Sequence, residues 1–260
     1  SHRWGHFPSA SAAWRMSNEE WWPKNSIVND FKIRAGYGIT GSDKIGAYQY
    51  IPILSTGEYP FGDNVNQTLM SLTMANTSIH WEEVHQSNIG VDMSLFKSRI
   101  NLSLDGYIKN TRDMLVKAAI PITSGFEDVT DTYTNAGMVR NVGSELLIHS
   151  VNFEGKNDGF RWQTTLNVSW NTNKITALNS STPKYENEIN GAYATIQKTG
   201  YPVNSFFGYV TNGLFQTPED VDGYATQQAG TAPGDIRFKD LHPDGVIDEK
   251  DRTIIGNPNP

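Results

Sequence analysis

An all-β fold, specifically an antiparallel segment of a transmembrane β-barrel, is what this sequence predicts, on three observations. Apolar and polar residues alternate with a period of two over stretches longer than ten residues, where ordinary strands run about 5–6. The connectors between these stretches are alternately short and long, the asymmetry of a barrel with turns on one side and loops on the other. One apolar stripe carries tryptophan at both ends, where rings with an apolar body and a wet tip meet the two surfaces of a bilayer.

Six strands follow from the alternation. Near 8–17, ASAAWRM sets Ala10, Ala12, Trp14 and Met16 against Ser11 and Arg15. Near 28–39, FKIRAGY sets Phe31, Ile33, Ala35 and Tyr37 against Lys32, Arg34 and Gly36. Near 80–97, Ile89, Val91, Met93 and Leu95 oppose Asp92 and Ser94. Near 99–116, Ile100, Leu102, Leu104, Gly106 and Ile108 oppose Asn101, Ser103, Asp105 and Tyr107. The strand near 133–152 alternates less cleanly, Leu146 and Ile148 facing away from Glu145, Leu147 and His149. Near 159–173, FRWQTTLNVSWN puts Trp162, Thr164, Leu166, Val168 and Trp170 on one face and Gln163, Thr165, Asn167, Ser169 and Asn171 on the other. Trp162 and Trp170 lie about 26 Å apart at ~3.3 Å per residue. At a tilt of about 40° that is ~20 Å of height, close to an apolar band of about 25 Å.

The connectors follow in order: NEEWWPKNSI, whose tryptophans suit an interfacial anchor; a long loop near 40–79; the tight turn FKSR; a medium link near 117–132; and the tight turn EGKNDG. Parity places the end of the sixth strand on the long-loop side. Residues 1–173 therefore read as barrel strands with their loops, and 174–260 as one large loop with a small hairpin over 205–216. Six strands cannot close a lumen, and open edges in lipid cost several kcal/mol per unpaired group. Further strands are expected on both sides, so the chain reads as a segment of a longer protein.

Composition narrows the function classes. A net charge of −7 argues against a nucleic-acid partner. The absence of cysteine excludes thiol chemistry, and no apolar run reaches the 18 residues of a membrane-spanning helix. Enzymatic readings are weak. His80 and His85 lack the spacing of a zinc helix, and no carboxylate pair is marked as acid and base. The chain reads as a non-enzyme. Loop aromatics such as Tyr48, Tyr50, Tyr59, Phe61, Tyr193, Phe206, Phe207 and Tyr209 offer faces for sugar rings or for packing within the loops.

The stretch DLHPDGVIDEKDR needs its own account. From Thr217 to Pro260 there are nine acidic residues against four basic, so this region holds most of the excess charge. Its spacing fits a calcium loop, with ligands at positions 1, 3, 5, 7, 9 and 12 and glycine at 6. Asp240, Asp244 and Asp248 would supply carboxylate oxygens, Val246 its carbonyl, and Asp251 would close the site. Gly245 would permit the bend. His242 at position 3 is a softer donor than calcium favours, and Asp251 is shorter than the usual glutamate. The competing reading is a solvated acidic turn whose aspartates cap backbone amides. Either way the role is structural.

Several segments carry a family likeness. RWGHFPSASAAWRMSNEEWW, FKIRAGYGITGSD, SIHWEEVHQSNIGVDMSLFKSRINLSLDGYIKNTRDMLV, TNAGMVRNVGSELLI, FRWQTTLNVSWNTNKI and APGDIRFKDLHPDGVIDEKDRTIIGNPNP together resemble the SusC/RagA-type TonB-dependent outer-membrane transporters. The likeness runs in order over nearly the whole chain. The sequence departs from the family at His242 and Pro243, where asparagine and glycine are usual. The resemblance implies a 22-stranded barrel with a plug, in the bacterial outer membrane. It implies a SusD-like lipoprotein over the mouth, with 174–260 as an extracellular loop, and energy supplied by TonB through the plug region. The cargo would be an oligosaccharide or a peptide. Two rivals remain at this level: a surface receptor or adhesin barrel that does not transport, and a soluble calcium-binding β module.

Overall fold

The computed structural model describes residues 4–23, 27–44, 51, 54–62, 64–71, 76–118, 123, 132–155, 159–178, 184–189 and 192–258. Tyr48, Tyr50 and the centre of the turn at 154–159 lie outside them. The chain divides into two compact units, residues 1–172 with 176–179 and residues 173–175 with 180–260.

Among the described residues ten strands run from residue 9 to 177: β1 Ser9–Arg15, β2 Val28–Ser42, β3 Leu54–Phe61, β4 Asn64–Ser71, β5 Glu82–Leu95, β6 Ile100–Arg112, β7 Leu115–Ala118, β8 Thr132–Asn135, β9 Met138–Glu154 and β10 Arg161–Ala177. Six of them form one sheet in the order β1-β2-β5-β6-β9-β10. These are the six strands that the alternation predicts. The connectors that interrupt this order fold as hairpins of their own, β3 with β4 and β7 with β8.

Register keeps the two faces chemically separate across the sheet. Ile33, Val91, Leu104 and Leu146 are consecutive cross-strand partners, and so on the next rung are Arg34, Gly90, Asp105 and Glu145. Side chains alternate across a strand, so the first rung lies on the apolar face and the second on the polar one. Among the described residues, none buries the apolar face. Leu104 is 47% exposed, Leu166 and Val168 are each 50% exposed, and the one buried apolar side chain among the unit's described residues is Ile79. A soluble sandwich would bury that stripe against a second layer; a lipid-facing wall leaves it bare.

At the end of the sheet that carries the tight turns, aromatic side chains gather. Trp14 packs edge-on to Trp21, and Trp22 stacks on Phe31 with ring centres 5.8 Å apart. Phe153 meets Phe160 across the turn between β9 and β10. This grouping suits an interfacial belt. The turn between β5 and β6 holds Phe96, Lys97 and Ser98 all at positive φ, near 54–62°. Three such residues in a row are costly, and local bonds offset the cost. The Phe96 amide donates to the Ile27 carbonyl at 2.9 Å, and the Lys97 amide donates to Asn29.

The second unit contains β11 Lys184–Ile189, β12 Ala192–Gln197, β13 Ser205–Tyr209, β14 Thr211–Leu214, a short helix α1 Pro218–Asp222, β15 Ile236–Phe238 and β16 Arg252–Gly256. A four-stranded sheet runs β11-β12-β13-β16, and β14 pairs with β15. Ile175, Ile196 and Phe215 form its buried core. The hairpin expected over 205–216 is not formed: β13 pairs with β12 and β16, and β14 turns to β15. Only Val210 separates the two strands, and a tight hairpin needs two residues at positive φ or a glycine there. A β-branched valine supplies neither.

Candidate functional site

Two places concentrate polar chemistry. The first is the polar face of the six-stranded sheet. Arg34 on β2 grips Asp92 on β5 with two bonds, Nε to Oδ2 and Nη2 to Oδ1, each 2.9 Å. Its Nη2 also donates to Asp105 Oδ2 at 3.0 Å and to Ser103 Oγ at 3.2 Å, both on β6. Ser103 donates on to Asp92 at 2.8 Å, and Lys32 Nζ lies 2.7 Å from the same carboxylate. Arg34 therefore reaches across a whole strand. It can do so because its partner on β5 is Gly90. A β-carbon there would stand 2.3 Å from Asp105 Oδ1 and 2.9 Å from Arg34 Cζ.

Beside this network the same face forms an open hollow of about 560 Å³, lined by Gln86, Asn88, Tyr107, Lys109, Asn141 and Glu145 among others. The Tyr107 hydroxyl leans on Asn171 at 3.4 Å. Amide, phenol and opposite charges here suit a wet wall that meets polar solutes through direct or water-mediated bonds.

The two histidines are held by local bonds. His80 Nδ1 lies 2.9 Å from the Ser78 carbonyl, and His85 bridges Tyr37 and Glu83 at 2.9 and 3.1 Å.

The second place is the acidic loop, residues 240–252. Asp251 is 1% exposed. Its Oδ1 accepts the amides of Leu241 and His242 at 2.9 and 3.0 Å, and its Oδ2 accepts the Asp248 amide at 2.9 Å. Those amides hold the Asp251 carboxyl below the usual carboxylate range. Asp248 caps the short turn Glu249–Asp251, its Oδ1 accepting from the Lys250 amide at 2.8 Å. Asp244 accepts the Val246 amide at 3.0 Å, and Asp240 Oδ2 accepts the Gly245 amide at 3.1 Å. Gly245 has φ +81°, as the bend requires. The Lys250 ammonium stands 3.4 Å from Asp248 and 3.7 Å from Asp244, and Asp248 raises its pKa. Asp240 Oδ1 is buried with no hydrogen-bond partner.

Of the five residues proposed as calcium donors, the four aspartates thus bind backbone amides. Among the described residues no group of three or more His, Asp or Glu side chains is placed to hold a metal ion. Next to the loop, Arg252 lies over the Phe207 ring at 4.7 Å, pairs with Glu249 at 2.9 Å, and donates to the Tyr193 carbonyl. Tyr209 packs on Phe238 in a tilted arrangement, ring centres 5.1 Å apart. Phe207 and Tyr209 therefore pack within the unit, whereas Tyr59 and Phe61 on the β3–β4 hairpin stay 60% and 76% exposed.

Asp251 gives the loop a pH dependence. Its folded-state pKa is depressed, so its contribution is complete above the ordinary carboxylate value of about 3.9 and is lost as pH falls through the lower folded value. Limited proteolysis is expected to leave residues 240–252 intact at neutral pH and to cut them under strong acid. Asp251→Asn should be cut at neutral pH. Equal protection of both proteins throughout would show that Asp251 does not hold the loop.

Sequence reasoning placed Arg34, Asp92 and Asp105 on the polar side of their strands, but not in one network. Gly90 stands between Ile89 and Val91 in the sequence, and only register sets it between Arg34 and Asp105.

Comparison with known proteins adds the wider context. Residues 1–240 match the family model described as TonB dependent receptor-like, β-barrel. The chain is 32% identical over 264 residues to TonB-dependent receptor P3 of Formosa agariphila, covering 100% of this chain and 26% of that protein. It is 30% identical over 270 residues to TonB-dependent receptor SusC of Bacteroides thetaiotaomicron, covering 99% of this chain and 25% of that protein. The chain spans about a quarter of the length of these curated relatives. Among solved structures, the RagAB peptide transporter superposes with a TM-score of 0.74 at 22% identity, over 96% of this chain and 25% of that one.

Proposed function

This chain belongs to the TonB dependent receptor-like β-barrel family of the outer membrane, and from that premise we propose that the whole protein is an energy-coupled importer of oligosaccharides or peptides. TonB would supply the energy, and a SusD-like surface lipoprotein would close the mouth. The observation that carries this reading is the two-faced sheet: a bare apolar face for outer-membrane lipid, and behind it a polar wall with ion-pair network and open hollow. A wall of that kind suits the passage of hydrophilic cargo. Residues 174–260 belong, in this reading, to the extracellular side.

The test uses intact cells carrying the full-length protein. Labelled oligosaccharide and peptide pools are supplied with TonB present and depleted, and a cysteine at Asp222 or Lys97 is probed with an impermeant reagent. Expected are cargo uptake that disappears without TonB and labelling at Asp222 alone. Surface binding with no TonB-dependent uptake would replace the importer by a receptor or adhesin. Labelling at Lys97 alone would reverse the orientation.

A calcium ion in the acidic loop is a separate proposal. It rests on the spacing of the donors and on the free Asp240 Oδ1. The ion would draw Asp244 and Asp248 away from Lys250 and use the Val246 carbonyl; taking Asp251 as well would require it to release its amides. Calcium, but not magnesium, is then expected to protect 240–252 in the proteolysis assay, and Asp240→Ala with Asp244→Ala should abolish the difference. Identical protection with calcium and with chelator would leave Lys250 as the loop's own counter-ion.

A further inference from the structure

The apolar face of the sheet does not stay apolar to its end. From the tight-turn side it runs through Met93, Leu102 and Ile148, then Val91, Leu104 and Leu146, up to the rung of Ser87, Ile108 and Val142. On the next rung toward the long connectors the same face carries His85, Asn110 and Arg140, and one rung further Glu83 and Arg112. Arg112 and Arg140 are diagonal neighbours on adjacent strands, about 7–8 Å apart at their β positions. Both are exposed.

Two like charges so placed repel each other, and no carboxylate among the described residues pairs with either. Glu83, directly across from Arg112, is taken by His85 at 3.1 Å. Arg140 is oriented by its Nε, which donates to Asn110 Oδ1 at 2.8 Å, and its two terminal nitrogens have no hydrogen-bond partner among the described residues. Guanidinium groups bind phosphate through paired N–H donors. Directly below lies the belt of Ile89, Leu104 and Ile108, which are 60%, 47% and 45% exposed.

A phosphate above an acyl chain is the chemistry of a membrane lipid. We propose that Arg112 and Arg140 bind the phosphate of a phosphorylated lipid headgroup in the leaflet at the long-connector end of the strands, with its acyl chains on the apolar belt beneath. The proposal rests on the reading of that face as lipid-facing.

The test is retention of lipid by the full-length protein. The protein is reconstituted in zwitterionic bilayers doped with a phosphorylated glycolipid or its dephosphorylated form, and co-purifying lipid is measured by native mass spectrometry. The wild type should retain the phosphorylated form about tenfold better. Arg112→Gln with Arg140→Gln should remove that preference, while Lys109→Gln, on the opposite face, should keep it. Undiminished preference in the double variant would overturn the site. Displacement by millimolar inorganic phosphate would make it a free-anion site and overturn the lipid assignment. Failure of the wild type to enter any bilayer would overturn the barrel reading and this proposal with it.

Discussion

Leu166→Arg should lower the stability of the folded protein in a bilayer by about 2–4 kcal/mol, whereas Asn167→Arg should cost little. The two positions are adjacent on β10 and differ only in the face they occupy. Leu166 is half exposed and lies midway between Trp162 and Trp170, each 56% exposed. It is therefore about 13 Å along the strand from either ring at ~3.3 Å per residue, deep enough that an arginine could not easily reach water. Asn167 shares its face with Thr165, whose hydroxyl meets His149 Nδ1 at 3.1 Å, and with Asn171, which meets Tyr107. That face already accommodates charge, as the Arg34 network shows. The measurement is reversible folding of full-length variants into vesicles, titrated with denaturant. Equal losses at the two positions would mean that both faces see the same medium, and the lipid-facing assignment would fail.

Arg34→Met is expected to cost about 2 kcal/mol, less than the 3–5 that follow the breaking of a fully buried ion pair, because its partners remain partly solvated. Arg34, Asp92 and Asp105 keep 30–31% of their side-chain surface. Removing the guanidinium leaves two carboxylates on neighbouring strands; among the described residues Lys32 is the cation left beside them, and it pairs with Asp92. Lys32→Met should cost no more than about 1 kcal/mol, the range of a solvated pair. Adding Asp105→Asn to Arg34→Met should recover part of the loss by removing one uncompensated charge. The same vesicle titration reads all three. If Arg34→Met and Lys32→Met cost the same, the cross-strand reach over Gly90 contributes nothing beyond an ordinary surface pair.

Alternation alone was enough to find the six strands of the sheet and to sort Leu104, Leu166, Asp105 and Asn167 onto their faces. A strand sends successive side chains to opposite sides whatever its neighbours do, so that information is local. Connector lengths, also local, ordered the strands as neighbours. What each strand pairs with at a distance is not local. β13 bonds to β16 rather than to β14, and β3 pairs with β4 inside a stretch that showed only turn and loop composition. The Arg34–Asp105 bond joins residues 71 apart in sequence, and Arg112 meets Arg140 only through the register of β6 with β9. In the acidic loop the spacing identified the oxygen donors, but their direction was decided by where the fold presents free amides. Asp251 turns inward because the Leu241, His242 and Asp248 N–H groups converge on it, and three hydrogen bonds to one carboxylate together offset its loss of water.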